Sequence, residues 1–296
     1  MKIASIHLDQ GEVACIKTDH GYLPIPLINQ RFDHNWPVDL LSILAEEKLE
    51  EIKLWFQTKK VENSDEFKEL TIPQDAVSFA PLYRRPRKIW GIGLNYKAHA
   101  KDLSAKLPDS EPASFMKPDT TIIGHNDTIK IPELSQRTTG EAELGLIFGK
   151  KCRNVQRENW QSVIAGFTTI IDMTAEDILK RNPRNLTQAK SFDTFFSFGP
   201  IFYTLDEVDD FPQLPVQTVT NGEIQAENIV GNMTFPLDYL VSYHSQIMTM
   251  LPGDILSTGT PGATVLKHGD LIECRIGDFH PLSNQVIDLK IEKGQR

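Results

Sequence analysis

The sequence predicts an α+β fold made mostly of strands, divided into a small N-terminal α+β domain over residues 1–78 and a larger, strand-rich domain over residues 79–296. Three observations predict it. The chain has 296 residues, 40% of them hydrophobic, which is enough for one large core or for one large and one small. Apolar residues alternate with period two over most segments and take helical spacing over only a few. A proline-spaced stretch with Pro73, Pro81 and Pro86 between Leu70 and Lys88 reads as the connector.

Taken in order, Lys2–Ile6 and Val13–Ile16 flank the turn-prone Asp9-Gln10-Gly11 and read as a hairpin. Leu40 to Phe56 carries Leu41, Leu44, Leu49, Ile52, Leu54 and Trp55 at helical spacing and reads as one helix. Lys88 to Gly93 is a strand entering a glycine turn. Gly140 to Gly149 is a buried strand, as is the β-branched run Phe167 to Ile171. The segment after it resembles a helix cap, with Thr174 as N-cap and Asp177 at the third helical position. Asn221-Gly222 centres a hairpin over Val216 to Gln225. Thr234 to Leu251 is a helix, with Pro236 near its start and His244 on its apolar stripe, hence a core histidine. Pro252-Gly253-Asp254 then turns into Ile255-Leu256-Ser257 and the loop Thr258-Gly259-Thr260-Pro261-Gly262.

The formal net charge of −9 argues against nucleic acid as a main partner. The one basic cluster, Arg84-Arg85-Pro86-Arg87-Lys88, falls on the connector and reads as a solvated linker. Cys15, Cys152 and Cys274 are isolated, with neither a disulfide framework nor zinc spacing, which suits a reducing cytosol. The N-terminal residues lack a signal peptide's apolar core, and no apolar run reaches membrane-spanning length.

The chemistry centres on Glu141 and Glu143. Side chains alternate along a strand, so these two share a face, while Ala142, Leu144, Leu146 and Phe148 take the other. Two like charges on an apolar strand repel and are costly to desolvate; a hard cation is the simplest compensation. Asp172, at the carboxyl end of its strand, is the natural third ligand. Singly, each acid reads as a surface charge; together they make an all-oxygen site suited to Mg²⁺, Mn²⁺ or Ca²⁺ and not to zinc. Lys190 opens an aromatic segment and can balance the acids or stabilise an oxyanion. If Asn95 to Asp102 is helical, His99 and Asp102 meet at i and i+3 as an oriented general base, although alone they read as an exposed pair. Gly91-Ile92-Gly93 is no dinucleotide fingerprint, because Tyr96 stands at the third glycine's place, and neither a phosphate loop nor a nucleophile elbow is present.

An ordered series of motifs adds to this reading. It runs Gly93-Leu94-Asn95-Tyr96-x-x-His99, Phe115-Met116-Lys117-Pro118, Glu141-Ala142-Glu143-Leu144 and Ile171-Asp172-Met173-Thr174-Ala175. Lys190-Ser191-Phe192-Asp193-Thr194, Gly199-Pro200, Asn221-Gly222-Glu223 and Gly253-Asp254 through Thr260-Pro261 complete it. Over residues 85 to 290 the chain resembles the fumarylacetoacetate hydrolase family, bacterial two-domain type. The resemblance implies a mixed β-roll catalytic domain, a homodimer, and Mg²⁺ or Mn²⁺ held by Glu141, Glu143 and Asp172. It implies substrate contacts from Lys117, Lys190 and Thr260, and water activation by His99 with Asp102. The implied activity is hydrolysis of C–C bonds in 2,4-dioxo acids, placed ahead of oxaloacetate-type decarboxylation and of 2-hydroxyhepta-2,4-diene-1,7-dioate isomerisation. A metal- and oxo-acid-binding protein with impaired catalysis is the reading from another class. The chain departs from the family at Asp102 (Glu is common), Glu176 (usually Arg), Gly140 (usually aromatic) and Ala189 (usually Gly). Glu176 is expected to exchange a positive charge near the site for a negative one.

Overall fold

The computed structural model describes residues 1–9, 11–61, 65–97 and 110–294. The predicted hairpin is present as β1 (Lys2–Leu8) and β2 (Gly11–Thr18), followed by β3 (Gly21–Pro24). A helix over Ile25–Phe32 follows. The apolar stripe from Leu40 does not make one helix. It makes two, Leu40–Ala45 and Leu49–Lys59, because Glu47 sits at φ 55° and turns the chain between them. Leu40, Ile43, Leu44, Leu49, Ile52 and Phe56 are still all buried. Of the residues picked out by the spacing, Leu44, Leu49 and Ile52 are buried, Leu41 and Trp55 are partly buried and Leu54 is 65% exposed, so the spacing found only part of the buried face and missed the break.

The strands that follow are β4 (Ile89–Gly93), β5 (Ala113–Lys117), β6 (Ile122–Ile123), β7 (Thr128–Ile131), β8 (Thr138–Phe148) and β9 (Ile164–Ala175). After two short helices, Glu176–Arg181 and Leu186–Lys190, come β10 (Phe196–Phe198) and β11 (Ile201–Thr204). The Asn221-Gly222 hairpin joins β12 (Pro215–Thr220) to β13 (Glu223–Ile229), with both turn residues at positive φ, 53° and 84°. The helix Leu237–Ile247 starts behind Pro236 and is shorter than its predicted span. The chain closes with β14 (Ile255–Ser257), β15 (Ala263–Val265), β16 (Leu271–Ile276), β17 (Leu282–Asp288) and a terminal helix, Leu289–Gly294.

Twelve of the strands form one mixed sheet. Its main path is β3-β2-β1-β11-β9-β8-β14-β4-β5, with β10 on β9, β6 on β10 and β15 on β8. The other five form a second sheet in the order β13-β12-β16-β17-β7. The architecture is thus α+β and dominated by strands, as the sequence predicts.

The long antiparallel pair β8–β9 lies at the centre, and every residue of β8 is buried. Its apolar face, Ala142, Leu144, Leu146 and Phe148, enters a core shared with Val216, Ile272, Cys274 and Ile276 of the second sheet. Its other face carries Glu141 and Glu143 and runs on to Ile147. Ile147 packs with Ile170, Phe196 and Phe198 and with Ile3, Ile16, Ile43 and Ile52 from the first 60 residues. No described helix is long and apolar enough to cross a membrane.

Candidate active site

The β8–β9 register sets the site. Glu141 stands directly opposite Asp172, and Glu143 lies two residues along β8 on the same face. One carboxylate oxygen from each of the three comes within 4.8 Å of the others, and all three residues are buried. Asp172 does not end its strand as expected, since β9 continues to Ala175. Thr174 is therefore not a helix cap: its hydroxyl donates to Glu141 Oε2 at 3.3 Å. The short helix begins behind Ala175 with no side-chain cap, and Asp177 accepts instead from Ser135 Oγ at 2.7 Å.

Each acid has its own anchors. Glu143 accepts from the Ser257 hydroxyl and, at 2.9 Å, from the Gly259 backbone N–H, so the turn after β14 grips it from the neighbouring strand. Lys190 donates to Glu141 at 2.9 Å and to Asp172 at 2.5 Å. Lys117 donates to the other Asp172 oxygen and to the Met173 carbonyl at 3.1 Å. Of the two lysines that the resemblance gives to substrate, Lys117 has its ammonium committed to Asp172 and the backbone, only 1% of its side chain being exposed. Lys190 borders the cavity above the acids.

Among the described residues two ammonium groups thus face three carboxylates, and the surplus negative charge falls on Glu143. Burial, reinforced by Asp172, pushes the Glu143 carboxyl up to about 8. Burial also brings Lys117 down to about 8, against the pull of Asp172. In Lys190 burial acts downward too, but Asp172 and Glu141 outweigh it and hold the ammonium well above the ordinary lysine range. For Asp172, burial is outweighed by Lys117 and Lys190, so the carboxylate stays below its usual value. An all-carboxylate donor set, closely spaced, buried and one charge short of neutral, fits a hard divalent cation.

Above the acids is a cavity of about 380 Å³. Ile92, Leu94, Phe115, Leu179, Pro183 and Leu186 make its apolar walls; Glu141, Glu143, Thr174, Lys190 and Thr260 are among its polar lining. Thr260 lines the cavity, with its hydroxyl bonded to the Gly262 carbonyl at 3.0 Å. His99 and Asp102 lie outside the described residues.

Phe115 is the residue that sequence reasoning quoted without assigning a role. Its ring centroid lies 4.4 Å from Lys190 Nζ, a cation–π contact that steadies the ammonium. A signal was available in Gly91, the cross-strand partner of Phe115. A Cβ there would sit 2.3 Å from the ring, so only glycine leaves room for it. At Gly140 a Cβ would meet Ile272 Cδ1 at 2.3 Å, so the aromatic side chain usual in the family would require the Ile272 side chain to shift.

Glu176 lines the same cavity nearer its mouth. It does not make the rim negative as expected. Arg137 donates to one of its oxygens and Lys180 to the other at 2.9 Å, so the cluster as a whole keeps one positive charge. Burial is outweighed here by Lys180 and Arg137, and the Glu176 carboxyl is held below its usual value.

Comparison with known proteins agrees with the geometry. The model of the fumarylacetoacetate (FAA) hydrolase C-terminal domain matches residues 88–287. An uncharacterised protein of Archaeoglobus fulgidus is 40% identical over 219 residues, 74% of this chain and 85% of that one. The mitochondrial oxaloacetate tautomerase Fahd2a of Rattus norvegicus is 33% identical over 224 residues, covering 73% of this chain and 71% of that protein. Among solved structures, maleylpyruvate hydrolase from Sphingobium sp. SYK-6, in complex with manganese(II) and pyruvate, superposes with a TM-score of 0.79 at 25% identity. That match covers 97% of this chain and 99% of the hydrolase. The chain belongs to the fumarylacetoacetate hydrolase family, whose named relatives here are enzymes.

Proposed function

We propose that this member of the fumarylacetoacetate hydrolase family is a Mg²⁺- or Mn²⁺-dependent enzyme that stabilises the enolate of a 2-oxo acid, and that its reaction is keto–enol tautomerisation. The observation that carries the reading is Lys190. Its ammonium is fixed at 2.9 Å from Glu141 and 2.5 Å from Asp172 and borders the cavity. Glu141, Glu143 and Asp172 would hold the cation. When bound, it supplies Lewis-acid polarisation of the substrate's oxo and carboxylate oxygens. Lys190 keeps its proton, because the two acids beside it favour the charged form, and with two N–H groups given to those acids it has its third for an enolate oxygen that gains charge. Phe115 holds that ammonium in place, and Lys117 keeps Asp172 ionised from behind. Ketonisation gives the enol O–H proton to water and takes a proton from water at the neighbouring carbon, so solvent admitted to the cavity balances the step while Lys190 stays charged.

The 33% identity with the rat tautomerase supports tautomerisation, and moving one proton is the least that the described residues need to do. A second reading is hydrolysis of a 2,4-dioxo acid, with His99 oriented by Asp102 as water activator. The likeness to the maleylpyruvate hydrolase supports it. A homodimer in a reducing cytosol belongs to the same proposal.

The test is to load the purified protein with Mg²⁺ or Mn²⁺ and follow the ultraviolet absorbance of enol-oxaloacetate and of an acylpyruvate. Rapid, chelator-sensitive ketonisation is expected, with Glu141→Ala abolishing both activity and metal-dependent thermal stabilisation. Acylpyruvate cleavage lost on His99→Ala, without accelerated ketonisation, would establish the second reading instead. Turnover of neither substrate, while the metal still binds, would leave a binding protein.

A further inference from the structure

The rim cluster bears on which oxo acids fit. Among the described residues lining the cavity, only Lys180 and Lys190 are cations, Lys190 among the acids and Lys180 beside Glu176. Leu179, Pro183 and Leu186 share that part of the lining with Lys180, and none of them can bond a second charged group on a ligand.

We propose that Lys180 binds the distal carboxylate of the substrate, making the protein selective for dicarboxylic over monocarboxylic 2-oxo acids, and that Glu176, braced by Arg137, positions Lys180 for this. The inference rests on the 2-oxo acid reading above. Lys180 is one helical turn from Glu176 and reaches it at 2.9 Å, yet its side chain is 60% exposed. It is tethered but free to swing. Glu176 is only 8% exposed, so stripping it of all counter-charge would be costly. Arg137 removes that difficulty. It keeps its bond to Glu176 Oε2 while Lys180, on Oε1, turns to a ligand. A single partner could not both neutralise the acid and be available to substrate.

The test compares matched ligands on Mg²⁺-loaded protein. Calorimetry would measure malate against lactate, which share the 2-hydroxy acid head and differ by the second carboxylate. Kinetics would compare oxaloacetate with its C4 methyl ester. Wild-type protein should prefer the diacids. Lys180→Ala should weaken malate binding and raise the oxaloacetate KM about tenfold, the size of one charge-assisted hydrogen bond, with lactate and the ester within about twofold. Lys180→Arg should retain the preference. Glu176→Gln should reduce it by a smaller factor, in KM and not in kcat. A diacid preference that survives Lys180→Ala, or an equal loss for mono- and diacids, overturns the inference and leaves the 2-oxo acid reading standing. Failure of wild-type protein to bind or turn over any of the four ligands overturns both.

Discussion

The floor and the rim of the cavity each bring acids and cations together, in opposite proportion. On the floor three carboxylates share two ammonium groups, and on the rim one carboxylate holds two cations. The floor lies in the middle of a sheet, where an unbalanced charge cannot be relieved by water. On the rim the acid is buried but both cations are half-exposed, at 49% and 60%, so there it can. A deficit of positive charge is therefore informative on the floor, because it has to be met by something the described residues do not supply. The rim's surplus is cheap, and it is available to an anionic ligand.

The largest test of that contrast is Lys190→Met. Removing a buried counter-ion should cost about 3–5 kcal/mol of stability in metal-free protein. It should also lower kcat by about 10²–10³, as expected for a lost oxyanion donor. Urea denaturation with and without Mg²⁺ checks the first and steady-state kinetics the second. Wild-type stability without metal would show that the ammonium is not the counter-charge described.

Glu143→Gln probes the deficit itself. The neutral amide keeps an oxygen for Ser257 and Gly259 and carries no charge to bury, so metal-free stability should match wild type near pH 5 and exceed it towards pH 8, and Mg²⁺ should no longer raise the melting temperature. The same reasoning fixes a pH dependence. Glu143 has a folded pKa of about 8, above its unfolded value of 4.5, so the native state binds more protons between these limits. Metal-free stability should then fall as pH rises from about 5 to 8, while stabilisation by Mg²⁺ grows over the same interval. Lys117, lowered to about 8, acts only above that window, where rising pH relieves its buried charge. Melting curves in EDTA and in Mg²⁺ across this range are the check. A metal-free protein that gained stability with pH would contradict the assignment.

The smallest effect should come from Glu176→Gln. Its partners are 49% and 60% exposed, so solvent screening leaves a loss of only ~0.5–1 kcal/mol, with no change in metal affinity. A loss as large as that of Lys190→Met would mean that rim and floor are electrostatically one unit.

The contrast also marks what was legible in the sequence. Period-two alternation put Glu141 and Glu143 on one face, and a β-branched run put Asp172 on a buried strand. That Asp172 lies directly opposite Glu141 is a matter of cross-strand register, which no single strand encodes. Register also moved Thr174 from a helix start to the end of β9, where its hydroxyl serves Glu141. Glu176 read as a negative charge because one of its partners, Arg137, lies 39 residues away. Lys117 read as a substrate ligand because the motif gives its position, whereas only the fold shows its ammonium committed to Asp172. The helix break at Glu47 escaped because the apolar spacing resumes on the same face beyond it.

The grip of Ser257 and Gly259 on Glu143 has a consequence for biogenesis. The acidic face draws on β5, β8, β9, the Leu186–Lys190 helix and the turn after β14, spread over nearly half of the chain. A ribosome-bound fragment ending before residue 257 contains all three acids and both lysines, yet lacks what aims Glu143. Cation capture should therefore come late in maturation, after the last central strand has docked. A chain arrested or cleaved short of that turn would emerge without the ion proposed for it, however much of the β8–β9 pair it had already formed.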